Sequence, residues 1–215
     1  DAVRSRGLGD VYKRQDDLAY VREIAETGAK APSLGGRYLV MWGVLMSATM
    51  LAHWAIISDV LAVDARYGLL ILWVGACVIG TIGNFVIAGT MKSRPGVSAA
   101  HNKIDRIIWP VAGMSVFAYF LGVTLTVMFR DVSPLIFDTL LPVAFLSYAI
   151  AFAGRAAFAG TRLAWGQTVI SVLLVGVTVF LVGTPTLYLV AALGLFGLTV
   201  IPGVLLIRDE PSMVV

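Results

Sequence analysis

Six stretches of this chain, 38–58, 68–91, 107–129, 134–153, 164–182 and 186–207, are apolar almost throughout. Each runs for roughly twenty residues, the length a helix rising about 1.5 Å per residue needs to cross a bilayer core about 30 Å thick. A transmembrane barrel would alternate apolar and polar residues over segments of about ten, and these runs are too long and too uniform for that. Backbone groups in lipid have no water to bond, so helices are the remaining way across. The expected fold class is all-α, a polytopic integral membrane protein built as a bundle of six transmembrane helices.

Composition agrees. The chain is 59% hydrophobic and only 13% charged, whereas soluble domains carry about a quarter charged residues. The segment "SRGLGDVYKRQ", Ser5 to Gln15, stands apart. Back-translated, it reads codon for codon as the end of a transposase-based sequencing-library adapter, so residues 1–15 are expected to be a read-through artefact. The first Met is Met41, and the native start codon is expected to have been lost. Without the four Lys/Arg and two Asp of that segment, the formal charge of +3 falls to +1. The basic balance therefore carries no expectation of nucleic-acid binding.

The remaining division is a cytosolic amphipathic helix and linker at 16–37, the transmembrane domain at 38–207 and a short cytosolic tail at 208–215. In the leader, Leu18, Val21 and Ile24 recur at helical spacing, Asp16 or Asp17 suits the start and Gly28 the stop. A helix this short is marginal in water. Its stripe is expected to rest on the bundle's own end or the headgroup layer, or else on a partner protein.

Ten Lys and Arg residues fall on the side of the termini and two, Arg66 and Arg130, on the other. The positive-inside rule then makes both termini cytoplasmic. Arg outnumbers Lys nine to three outside the adapter segment, which points to a GC-rich bacterial genome and a bacterial inner membrane. The five Trp residues fall near helix ends, where interfacial belts belong. "MWGV", "IWPV" and "AWGQ" open the odd-numbered helices, which would suit three stacked hairpins.

Ionisable groups inside spans are costly and mark candidate sites. His53 in helix one and Asp138 in helix four are expected to meet if those helices are neighbours, and a histidine beside a carboxylate can sense pH or relay a proton. Asn84 and Tyr119 are the other candidate polar groups. Asn84 stands with Cys77, Gly80, Thr81 and Ala88 on one side of helix two, and Tyr119 with Ser115, Gly122 and Thr126 on one side of helix three. With Gln167 and Ser171 they would pack helices together or line a neutral cavity. Arg155 is expected to snorkel to the headgroups, and Pro142 and Pro202 to kink helices four and six. The longest loop, 92–106, holds His101, read as a solvent-exposed histidine.

No H-E-x-x-H, G-x-S-x-G or paired intramembrane carboxylates occur. The single Cys77 excludes an intramolecular disulfide or a cysteine metal cluster. No cofactor is implied. The expected function is that of a non-catalytic membrane subunit or regulator, partnered by the lipid bilayer and by a cytosolic or membrane protein. The alternatives are a small neutral-solute or lipid transporter, then an intramembrane enzyme.

Overall fold

The computed structural model describes residues 33–91, 94, 97 and 99–210. Residues 1–15, the leader with Leu18, Val21 and Ile24, and residues 211–215 lie outside the described residues. Six helices follow: α1 (Gly36–Ile57), α2 (Ala65–Met91), α3 (Ala100–Phe129), α4 (Leu140–Ala159), α5 (Arg162–Phe180) and α6 (Thr186–Arg208). A 3₁₀ turn, Pro134–Thr139, leads into α4. All six are long and apolar enough to span a membrane, and no strand occurs among the described residues. Arg37 at the start of α1 pairs with Glu210 just past α6 at 3.2 Å, so both ends of the described chain share one end of the bundle. We call this the terminal end and the opposite one the distal end.

Two helices outrun their apolar stretches. α3 begins at Ala100, seven residues before the hydrophobic run, and α4 continues to Ala159, six beyond it. Hydropathy breaks at the first charges, but a helix ends where its caps are. Gly160, at φ 63°, takes the left-handed conformation that stops α4. The Thr161 hydroxyl then accepts from the Ala164 amide to start α5. As a correction, His101 belongs to α3 rather than to a loop, and it is buried.

Inner and outer helices separate clearly. In α1, α4 and α6 the most apolar stretch is 39%, 39% and 44% buried, against 11%, 6% and 22% in α2, α3 and α5. The inner three supply the core, with Phe145, Phe152, Leu187 and Leu198 almost fully enclosed. α2 packs on α1 and α3 on α4, while α5 lies along α4 far more extensively than along α6. The arrangement is therefore not three equivalent hairpins. The tryptophans differ as well: Trp42 and Trp73 donate hydrogen bonds across helices, Trp109 packs on Tyr148 and Phe152, and Trp165 alone of the five is exposed.

α1 and α6 touch along their length, and glycine makes this possible. A Cβ at Gly36 would lie 2.8 Å from the Gly203 carbonyl oxygen, and one at Gly43 2.1 Å from the Thr199 hydroxyl. Small residues let helix backbones approach where lipid supplies no hydrophobic drive. α6 also changes pitch here, through a π turn at Phe196–Val200 in which the Ile201 amide bonds the Phe196 carbonyl. Pro202 has no N–H to offer the Leu198 carbonyl four residues back. That carbonyl instead accepts from the Gln167 side chain of α5 at 2.9 Å. The expected irregularity at Pro202 is thus a π turn closed by a neighbour. Pro142 departs from expectation: it stands in the first turn of α4, where a missing N–H is tolerated, and not in mid-helix.

Gly43→Ala should lower stability by about 1–3 kcal/mol through overpacking. Gly166→Ala, with open space around it, should be neutral or stabilising by up to about 1 kcal/mol. Thermal unfolding of both variants in detergent checks the pair.

Candidate functional site

The polar groups of the distal half form a chain that crosses four helices. His53 on α1 accepts from the Trp73 indole N–H of α2, Nε1 to Nδ1, at 3.1 Å. Indole nitrogen is a donor only, so Nδ1 is unprotonated and the neutral ring carries its proton on Nε2. The other side of His53 stacks on the Tyr188 ring of α6, with centroids 3.7 Å apart and planes 18° from parallel. The Tyr188 hydroxyl donates to Asp138 Oδ1 at 2.5 Å. Asp138 Oδ2 accepts from the Gly183 amide at 2.9 Å.

Local sequence explains each placement. Asp138 lies in the 3₁₀ turn ahead of α4, near a helix start that favours negative charge. Gly183 turns at φ 85°, a conformation that costs glycine nothing, and so aims its N–H at the carboxylate. His53 and Asp138 do come together, but through Tyr188; no hydrogen bond joins them directly among the described residues. Tyr188, Trp73 and Gly183 went unread in the sequence as site residues. An aromatic residue near a span end has the ordinary signature of an interface anchor, which hid Tyr188 and Trp73.

The other two candidates sit elsewhere. Asn84 Oδ1 accepts from the Trp42 indole at 3.0 Å, tying α2 to α1. Tyr119 shares a hydrogen bond with Thr139 at 2.8 Å, tying α3 to the entry of α4. Cys77, Thr81, Ser115 and Gly122 are exposed on the outer helices, with the Thr81 and Ser115 hydroxyls bonded to carbonyls of their own helix. They do not converge with Asn84 and Tyr119 on one cavity, because α2 and α3 hold different neighbours.

Charges gather at the terminal end. Arg155 does not snorkel: it is buried, 3% exposed, with Nε 3.7 Å from Asp105 Oδ2 of α3 and a close hydrogen bond from its guanidinium to the Ser33 hydroxyl. This corrects the expectation, and the cause is the early start of α3, which brings a carboxylate within reach. Glu210 takes both Arg37 and Arg94, joining α1, the connection after α2 and the end of α6.

A shallow apolar groove of about 290 Å³ runs between α4 and α5, lined by Pro142, Val143, Leu146, Val175, Val179 and Val182, with Thr139 at one edge. Among the described residues no three His, Cys, Asp or Glu side chains converge to hold a metal ion. No family model matches the sequence, and neither a curated protein nor a solved structure is similar enough to count as a match.

A double-mutant cycle tests the carboxylate contact. Tyr188→Phe and Asp138→Asn should each cost about 1–3 kcal/mol, the price of a buried polar group left without its partner. Their coupling should fall between about 0.5 and 2 kcal/mol, measured by unfolding in mixed micelles.

Proposed function

We propose that this chain is a non-catalytic subunit or regulator in a bacterial inner membrane, with both termini in the cytoplasm. The observation that carries the reading is how the polar side chains within the spans are used. Asn84, Tyr119, Gln167, Tyr188 and Asp138 each bond a group on another helix or an adjoining loop. Groups committed to helix–helix bonds in this way are structural glue. A solute pathway would need them facing a shared aqueous space, and a reaction would need a base, a nucleophile or an electrophile set at reactive distance.

Orientation rests on charge. The terminal end carries Arg37, Arg94, Arg106, Arg155, Arg162 and Arg208, and the distal end Arg66 and Arg130. With Cys77 replaced by Ser, a cysteine placed at Val60 should react with a membrane-impermeant maleimide in intact cells. One placed at Gly160 should react only after the membrane is opened. The reverse pattern would invert the topology.

The partner-facing element in this reading is the leader stripe, Leu18, Val21 and Ile24. Mild-detergent extraction should bring down a stoichiometric protein with the parent chain, and the triple change to Ser should reduce its recovery at least about tenfold, as the loss of an apolar anchor cluster implies. If lipid alone accompanies both forms, the subunit reading fails. The groove between α4 and α5 would then favour the second reading, a lipid-handling carrier, because its apolar wall fits an acyl chain.

A further inference from the structure

Ahead of α1, residues 33–35 lie across the terminal ends of α3 and α4. Leu34 is 4% exposed, and its amide donates to Asn102 Oδ1 of α3 at 3.0 Å. The Ser33 hydroxyl meets the Arg155 guanidinium of α4. Gly35 passes so near the charges beneath that a Cβ there would stand 3.2 Å from Asp105 Oδ2 and 3.8 Å from Arg155 Nη1. The three residues roof a buried ion pair.

That pair is badly satisfied. Its nearest N and O atoms are 3.7 Å apart, beyond hydrogen-bonding distance. Among the described residues neither Asp105 carboxylate oxygen nor Arg155 Nη1 has a partner within hydrogen-bond geometry, although the Trp109 side chain lies beside the carboxylate. Two charges removed from water regain the lost hydration only when geometry and further hydrogen bonds are good. Here they are not. Closing the roof buries Leu34 and makes the Leu34–Asn102 and Ser33–Arg155 hydrogen bonds; opening it returns water to both charges. The two terms oppose each other, which is the condition for a two-state element.

We propose that residues 33–35 are a strap that opens and closes over the Asp105–Arg155 pair. The driving imbalance is the dry, poorly bonded ion pair. The inference does not rest on the partner reading, because failed co-purification would leave the strap's opening rate unchanged.

Hydrogen exchange in lipid nanodiscs tests it on the full chain. In the wild type, the Leu34 amide should exchange at least about 100-fold faster than that of Met50 in the middle of α1, as expected of a local opening well below global unfolding. In a Ser33→Ala background, where the Arg155–Ser33 hydrogen bond is already absent, replacing the pair by apolar residues, Asp105→Leu with Arg155→Met, removes the hydration gained on opening and should slow Leu34 exchange about tenfold or more relative to Ser33→Ala alone. Asn102→Ala should speed it about fivefold. Unchanged or faster exchange in the apolar double variant would mean the pair holds the strap down, and would overturn the proposal.

A second measurement needs no variant. Phenylglyoxal should modify Arg155 in the wild type at a rate that tracks Leu34 exchange, with exposed Arg162 as the reference. Arg155 left intact while Arg162 reacts would show that the strap frays without hydrating the pair, and would equally overturn the proposal.

Discussion

Between helices in a bilayer there is no hydrophobic effect to speak of, since a lipid tail is as apolar as a leucine. Helices stay together by close contact and by bonding polar groups that lipid cannot satisfy. In this protein the requirement is met first along the seam between α1 and α6. Gly36, Gly43 and Gly203 remove the side chains that would hold the two backbones apart. α4 completes the inner trio with Phe145 and Phe152, and the outer helices attach to its flanks. Without the seam, α6 would lose its longest contact and the core its third wall.

The seam also explains an irregularity that would be costly alone. Pro202 falls one residue from Gly203, whose carbonyl oxygen lies against Gly36, and it deprives the Leu198 carbonyl of its donor. Gln167, 2% exposed, supplies a replacement from α5. The proline, the π turn and the buried amide are therefore one device, and it ties α5 to α6. At the distal end, the line from Trp73 through His53 and Tyr188 to Asp138 does similar work for α2, α1, α6 and α4. The stack and the hydrogen bonds orient these side chains, and in a low-dielectric medium each bond left unmade would be expensive.

Charges at the terminal end have two uses. As Lys and Arg on one side of the spans they suit the positive-inside pattern. As side chains they also close the bundle: Glu210 gathers Arg37 and Arg94, and Arg155 turns inward to Asp105 and Ser33. The first use is a matter of which side a residue is on. The second depends on which helices are neighbours.

That difference separates what was legible from what was not. The number of helices long and apolar enough to span, and the position of their apolar runs, follow from local quantities, namely run length, hydropathy and the backbone's need for internal bonds, and apart from the start of α3 and the end of α4 the six helices lie close to those runs. The two long misses, at the start of α3 and the end of α4, came from polar residues that look like loop in isolation: His101, Asn102 and Asp105 lie in the first turns of α3, which bring Asn102 to Leu34 and Asp105 to Arg155. The candidate site was half visible. His53 and Asp138 stood out as ionisable groups in apolar runs, but that Tyr188 would join them, that Asn84 and Tyr119 would bond Trp42 and Thr139 instead of each other, and that Arg155 would turn inward were settled by packing order. Sequence alone determined how many helices are long and apolar enough to cross a membrane and where their apolar runs lie, because those are properties of each segment by itself. Only the tertiary structure decided which polar atoms meet, because a helix's apolar face in lipid looks the same whichever neighbour it will have.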